Sequence, residues 1–149
     1  MPVRTIRDIE RHAKEAFPEE CCGFLIGREG QPRHVLEARR AKNVATEDRV
    51  RRYVIDPVEL LHADDDARRR GLEVVGIYHS HPNHPAAPSE FDRSRATPWY
   101  TYVILSIVDR DPRDMTAWRF DDSTKRFELE ELVRGRSKAT SRRPSPTES

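Results

Sequence analysis

A short apolar run, Val74 to Tyr78, ends in His79 and His81 and constrains this 149-residue chain more than any other segment. Its branched and aromatic residues lie between Gly71 and a proline-rich stretch, a pattern that predicts a buried strand. Alternate residues of a strand share one face, so the two imidazoles point the same way while Ser80 points the other way. We therefore expect two histidine rings close together at the end of this strand.

The residues that follow predict a loop and then a short helix. Pro82 to Pro88 contains three prolines, which interrupt both strands and helices. Ser89 is a typical helix N-cap residue, and Asp92 at the third helical position completes a capping pair. Asp92 can then face back toward the histidines. His84 is a rival ligand, but we expect it to be exposed in the loop or to line the mouth of the site.

Two neutral imidazoles and one carboxylate form a ligand set that suits zinc, with His79, His81 and Asp92 as the ligands. Three protein ligands leave the fourth tetrahedral position to water, as in catalytic sites, and bound zinc lowers the pKa of that water to about 7. The alternative is that the histidines are polar residues at a strand end and that Ser89 and Asp92 form an ordinary cap. A His-X-His pair alone is weak evidence, whereas all four residues at these offsets favour the metal site.

The motif resembles the signature of the JAMM metallopeptidases, also called the MPN-plus or Mov34 family, in which His-Ser-His is followed by Ser-X-X-Asp after seven residues. That family also has an upstream glutamate. Pro18 to Gly27 resembles the stretch Pro-X-Glu-X-Cys-Gly of short prokaryotic members, and this match selects Glu20. From the residues alone, Glu19 and Glu20 are nearly indistinguishable.

The resemblance implies roles for the site residues and one zinc ion per chain with a bound water. Glu20 would hold that water, take its proton and pass it to the leaving amine, and Ser89 would donate a hydrogen bond to the oxyanion. The implied fold is the MPN fold, an α/β (α+β) domain with a single mixed, largely antiparallel curved sheet flanked by helices, similar to cytidine deaminase.

The resemblance also implies a partner with a C-terminal Gly-Gly tail. Family members hydrolyse the bond after this tail in ubiquitin or ubiquitin-like proteins, and short bacterial members resemble enzymes that trim sulfur-carrier proteins. We favour a ubiquitin-like sulfur carrier over ubiquitin, since this single domain lacks an obvious partner-binding extension. An extended Gly-Gly tail could add alongside a strand near the metal, where larger side chains would clash.

Two other functions are alternatives to the peptidase. A non-catalytic MPN-type scaffold would bind partners through its sheet and helices, but scaffold members typically lack part of the ligand set that is present here. A zinc deaminase also places a glutamate near a zinc-bound water. Its His-X-Glu and Pro-Cys-X-X-Cys signature is absent from this sequence.

Composition limits the remaining function classes. Lys and Arg number 27 against 26 Asp and Glu, and the net charge of +1 gives no strong field for nucleic acid. No apolar run approaches the roughly 20 residues that cross a bilayer, so we expect no membrane partner and a cytoplasmic location.

Cys21 and Cys22 are adjacent and expected on opposite strand faces, which argues against a disulfide. Cys22 is expected in the core, whereas Cys21 could border the site.

The rest of the chain predicts one domain, residues 1–134, and a disordered, basic, Ser/Pro-rich tail, residues 135–149. A first helix is expected to end near Pro18, and Lys42 to Arg52 is expected to form a loop.

A second helix is expected to have Asp56 as its N-cap, Pro57 as its first residue and Glu59 as capping-box partner, and to close at Gly71. Besides the metal-bearing strand, six are predicted: Cys22 to Arg28, His34 to Ala38, Tyr53 to Ile55, Tyr102 to Val108, Thr116 to Phe120 and Arg126 to Val133, the last two joined by a turn over Asp121 to Thr124.

Overall fold

The computed structural model describes residues 1–135, which form three helices and six strands. In chain order these are α1 (Val3–Ala16), β1 (Cys22–Arg28), β2 (His34–Ala41), α2 (Pro57–Arg69), β3 (Glu73–Pro82), α3 (Glu90–Ser94), β4 (Thr101–Val108), β5 (Asp111–Asp121) and β6 (Arg126–Glu130). Residues 136–149, most of the predicted tail, lie outside the described part of the chain.

The six strands form one mixed sheet in the order β2-β1-β3-β4-β5-β6. Every neighbouring pair is antiparallel except β3 and β4, which run parallel. Parallel neighbours cannot be joined by a tight hairpin, so the chain must cross from the end of β3 to the start of β4. The short helix α3 lies in this crossover. The predicted mixed, largely antiparallel α/β domain is confirmed.

Apolar side chains cover both faces of the sheet. Helix α1 buries Ile6, Ile9 and Ala13 in one cluster, together with Leu25 of β1 and further residues of β3, β4 and β5. Helix α2 buries Ala63 and Ala67 in a second cluster on the other face, with strand residues Cys22, Phe24, Ile26 and Val74. Strands β1 and β3 are interior strands of the sheet and are buried on both faces, which explains why their sequences are nearly continuous apolar runs.

Several predicted boundaries need correction. Tyr53 to Ile55 is not a strand, although Val44 and Val54 share a backbone hydrogen bond of 2.9 Å. Strand β2 continues to Ala41 because it pairs with β1 over its whole length, and β5 begins at Asp111 because it pairs with β4 from there. Strand β6 ends at Glu130 rather than Val133. Strand β3 includes Pro82, so the proline-rich loop starts one residue later.

The start of α2 matches the prediction only in part. Asp56 is the N-cap and accepts a hydrogen bond of 2.9 Å from the Val58 backbone N–H, with Pro57 as the first helical residue. Glu59 is not the capping-box partner, because its carboxylate accepts from the Lys42 backbone N–H at 3.0 Å. Glu59 therefore ties α2 to the end of β2. Within residues 1–135, no helix has the length and apolar character needed to cross a bilayer.

The contact between α1 and the sheet gives a test of the fold. Ile9 is fully buried on α1, whereas Val3 on the same helix is 45% exposed. We expect Ile9→Ala to lower the free energy of unfolding by about 2–4 kcal/mol, because it leaves a cavity under the helix. Val3→Ala is the matched control and is expected to change it by about 0.5 kcal/mol or less. Urea unfolding measures both, and equal effects would contradict the packing described here.

Candidate metal centre

Strand β3 brings two imidazoles to one point. His79 and His81 are both buried and lie on the same face, and their Nε2 atoms are 3.2 Å apart. The His81 Nδ1 atom is 2.8 Å from the backbone oxygen of Pro85 and can donate its proton there. This contact fixes the tautomer of His81 and leaves the Nε2 lone pair free to bind a metal.

Helix α3 brings the carboxylate to the same point through the predicted capping box. The Ser89 hydroxyl oxygen accepts from the Asp92 backbone N–H at 3.0 Å, and Asp92 Oδ2 accepts from the Ser89 backbone N–H at 2.9 Å. The same Oδ2 atom lies 3.2 Å from His79 Nε2 and 3.1 Å from His81 Nε2. The cap therefore fixes the Asp92 carboxylate against both histidines.

The three atoms form a triangle with edges of 3.1 to 3.2 Å, and these residues form a candidate metal site. In a tetrahedral zinc site, ligand atoms about 2.0–2.1 Å from the ion lie about 3.3 Å from one another. The triangle in this chain has nearly that size, so the donor set fits zinc in both chemistry and spacing. His84 is exposed and lies outside this triangle, with its ring centroid 6.1 Å from that of His81.

Electrostatics at the site favours the protonation states in which these residues bind a cation. Burial alone would raise the pKa of Asp92, but His79, His81 and the Ser89 N–H hold that pKa well below its usual range. Burial lowers the pKa of His79 despite the nearby carboxylate. A carboxylate binds a metal when it is ionised and an imidazole when it is neutral, and these pKa shifts favour those forms of Asp92 and His79 near neutral pH.

The ring of His79 is held by an aromatic contact that the sequence pattern did not indicate. Tyr53 stacks on it with ring centroids 4.5 Å apart and an interplanar angle of 27°. Among the described residues, the Nδ1 atom of His79 has no hydrogen-bond partner, so stacking takes the place of the second contact that Pro85 gives to His81. Tyr53 lies in the segment predicted as a strand, and no periodicity links it to β3.

Glu20 reaches the site through the register of the sheet. Cys22 of β1 pairs with His79, and the Ser80 N–H donates to the Cys21 backbone oxygen at 3.1 Å. Continuing this register beyond the paired residues places Glu20 opposite His81. Its side chain is on the same face of the sheet as the histidines, because directly opposed residues of two strands share a face.

Burial distinguishes the two adjacent glutamates, Glu19 and Glu20, which the sequence alone could not tell apart. Glu20 is 3% exposed, whereas Glu19 is exposed. Burial, and then the carboxylates of Asp92 and Asp48, raise the pKa of Glu20 to about 9. Within the described part of the chain, Glu20 Oε1 has no hydrogen-bond partner. A buried, unpaired carboxyl group with a strongly raised pKa is typical of a functional site.

The two cysteines are free and buried, on opposite faces of the sheet as expected. Cys22 packs in the α2-side cluster, and Cys21 packs in the α1-side cluster. The Cys21 side chain therefore lies on the face opposite the histidines, and the expectation that it could border the site is wrong. The Cys21 backbone N–H donates to the Ser80 hydroxyl oxygen at 2.8 Å, and this hydrogen bond joins the start of β1 to β3.

Known proteins resemble this chain over most of its length. It is 41% identical to a desampylase of Haloferax volcanii over 118 residues, which cover 74% of this chain and 81% of the relative. It is 34% identical to a probable TtuB-protein conjugate cleaving protease of Thermus thermophilus over 105 residues, 70% of this chain and 68% of that protein. A CysO-cysteine peptidase of Mycobacterium tuberculosis is 35% identical over 117 residues, 74% of this chain and 75% of the relative.

A solved structure and a family model also match this chain. The solution structure of a Desulfitobacterium hafniense protein superposes with a TM-score of 0.78 and 29% identity, covering 89% of this chain and 90% of the other. The sequence model described as prokaryotic homologs of the JAB domain matches residues 2–121. This match spans both the Glu20 segment and the His79 to Asp92 motif, and the chain belongs to the family of prokaryotic JAB-domain homologues.

Proposed function

We propose that this protein is a zinc-dependent peptidase or isopeptidase that hydrolyses the bond after the C-terminal Gly-Gly tail of a ubiquitin-like or sulfur-carrier protein. The observation that carries the proposal is the convergence of His79, His81 and Asp92 within 3.1 to 3.2 Å, beside the buried carboxyl group of Glu20. Three ligands and one nearby carboxyl group are what metal-assisted amide hydrolysis requires.

His79 and His81 would bind zinc through their Nε2 atoms, and Asp92 would bind it through Oδ2. Zinc held in this way supplies a Lewis acid that polarises the scissile carbonyl and makes water nucleophilic near neutral pH. The Pro85 carbonyl and the Ser89 N–H contact these ligands from outside and keep them oriented. Such outer contacts typically affect metal affinity or activity by about 10- to 100-fold.

Glu20 would act as general base and then as general acid. Without a cation, burial and Asp92 raise its pKa to about 9, and the group holds a proton. The positive charge of a cation held by Asp92 and the histidines would favour the ionised form of Glu20. Glu20 can then take a proton from the attacking water and return it to the leaving amine.

Ser89 would stabilise the oxyanion that forms during attack. Its hydroxyl oxygen accepts a hydrogen bond from the Asp92 N–H, which uses a lone pair and leaves the hydroxyl proton for another partner. Ser89 is exposed next to buried Asp92, so a substrate carbonyl can approach it. A well-placed donor of this kind is worth about 100-fold or more in rate.

The relatives support a carrier protein as the substrate. One relative is named for cleaving TtuB-protein conjugates, and another is named a CysO-cysteine peptidase. These names differ in the leaving group, which is a protein in the first case and cysteine in the second. For this chain we propose a carrier that ends in Gly-Gly, with either group attached. Two free cysteines fit a reducing compartment, and we place the reaction in the cytoplasm.

A cleavage assay tests the proposed function. The zinc-loaded protein is incubated with carriers whose Gly-Gly end carries either an extra residue or a lysine-linked peptide, and the products are identified by mass spectrometry. We expect Glu20→Gln to lower the rate by about 100-fold or more, because it removes the proton-transfer group. Glu19→Gln, the exposed neighbour, is the matched control and should retain the wild-type rate. The proposal fails if the wild-type protein leaves every Gly-Gly-capped carrier intact and behaves like Glu20→Gln.

Glu20 should also make the stability of the metal-free protein depend on pH. Its pKa is about 9 in the folded state and near 4.5 in the unfolded state, so folding loses stability as the pH rises between these values. Glu20→Gln does not titrate and avoids this loss. We expect it to be more stable than wild type by up to about 3 kcal/mol at pH 7, and by little at pH 4.5.

Urea unfolding in the presence of a chelator measures this difference at both pH values. Glu19→Gln serves as the control, since its side chain is exposed. Wild-type protein and Glu20→Gln unfolding at the same urea concentration at pH 7 would contradict the burial of an unpaired carboxyl group.

A further inference from the structure

The segment of residues 43–54, between β2 and α2, is closed into a compact loop by one side chain. The Asn43 Oδ1 atom accepts hydrogen bonds from the Ala45 N–H at 3.1 Å and from the Val54 N–H at 3.2 Å. The Val44 N–H adds a backbone hydrogen bond of 2.9 Å to the Val54 carbonyl. Asn43 therefore joins the two ends of the loop, which we call the Asn43 loop.

The same loop holds the backbone of Glu20 from both sides. The Asn43 side-chain NH2 group donates to the Glu20 carbonyl at 3.1 Å and to the Arg52 carbonyl at 2.9 Å. The Glu20 N–H donates to the Arg49 carbonyl at 2.8 Å. Glu20 lies before the start of β1, and both its N–H and its carbonyl are bound by the Asn43 loop. The direction of the Glu20 side chain thus depends on this loop.

A third contact links the loop to the metal ligands. Tyr53, near the end of the Asn43 loop, stacks on the ring of His79 with centroids 4.5 Å apart. One short segment therefore touches Glu20 through its backbone and His79 through its ring. The Glu20 carboxyl group and the His79 ring must keep a fixed separation if Glu20 is to exchange a proton with a water at the metal site. A displacement of about 1 Å can lower the rate of such a reaction by about 100-fold.

We propose that Asn43 is a positioning residue for the reaction, since it fixes the Asn43 loop to the Glu20 carbonyl and so holds the Glu20 carboxyl group in place relative to His79. This inference rests on the proposed function, because it assigns to Glu20 the role of proton carrier. Asn43 itself touches only backbone groups in these four hydrogen bonds. Its effect on the reaction is therefore transmitted through Glu20.

The amide of Asn43 allows loop closure and Glu20 positioning to be separated. In Asn43→Asp, the carboxylate keeps nearly the same shape and still accepts from the Ala45 and Val54 N–H groups. It has no proton to donate to the Glu20 and Arg52 carbonyls, which would face it as acceptors. The loop can thus stay closed at its base while the hydrogen bond from Asn43 to the Glu20 carbonyl is lost. Asn43→Ser is a second variant with a smaller, neutral side chain that also lacks the NH2 group.

The test compares steady-state kinetics with hydrogen exchange. For both variants we expect kcat on the Gly-Gly-capped carrier to fall by about 10- to 100-fold, while KM changes by about twofold or less. Zinc content should stay at the wild-type level, because no metal ligand is altered. In the metal-free protein, exchange of the Glu20 amide hydrogen should become at least about 10-fold faster, because loss of the Asn43 contact frees the Glu20 backbone and the hydrogen bond from its N–H to the Arg49 carbonyl opens more often. Glu47→Gln, exposed in the same loop, is the control and should match wild type in all three measurements.

The outcomes separate this inference from the proposed function. If wild type is active and Glu20→Gln is not, a wild-type kcat in the folded Asn43 variants overturns the positioning role alone. A loss confined to zinc content or to KM also overturns it. If Asn43→Asp does not fold, Asn43→Ser decides by the same criteria, and failure of both to fold shows a purely structural role. If wild type cleaves no carrier, the proposed function fails and the positioning role fails with it.

Discussion

The pairing of β1 with β3 is the constraint on which the candidate site depends. Cys22 lies opposite His79 in this antiparallel pair, which places Glu20 opposite His81 at the same edge of the sheet. A shift of one residue in this register would turn Glu20 to the other face, toward α1, and bury Cys21 against the histidines. Packing on both faces fixes the register, because β1 and β3 carry apolar side chains that α1 and α2 cover.

The candidate site places several buried polar groups at one end of an apolar sheet. Some of these groups have hydrogen-bond partners in the surrounding protein and others do not. Asp92 accepts from the Ser89 N–H, and His81 can donate to the Pro85 carbonyl, so these candidate ligands have partners besides each other. Glu20 Oε1 lacks a partner among residues 1–135, and burial of such a group costs stability. A carboxyl group that is costly in the metal-free fold and favourable beside a cation suits a site built for chemistry rather than for stability.

The sequence was sufficient for the parts of the site that are local in the chain. His79, His81 and Asp92 converge because strand alternation and a capping box act over a few residues. Glu20 comes from a distant strand, and the residues alone could not separate it from Glu19; burial in the folded sheet does. Tyr53 and Asn43 contact the site from a polar loop, whose path is set by individual hydrogen bonds that no periodic pattern encodes. Strand β2 is longer than predicted because pairing with β1 determines where it ends.

Metal analysis tests the central claim most directly, since a scaffold and a peptidase with this fold differ first in whether they hold zinc. The protein is purified without chelators, its zinc content is measured by mass spectrometry of the metal, and its melting temperature is recorded with and without added zinc. The account predicts about one zinc per chain and a melting temperature that rises with zinc, because binding to the folded state stabilises it. Less than about one tenth of a zinc per chain, with no rise on adding zinc, would contradict the claim and favour a non-catalytic scaffold.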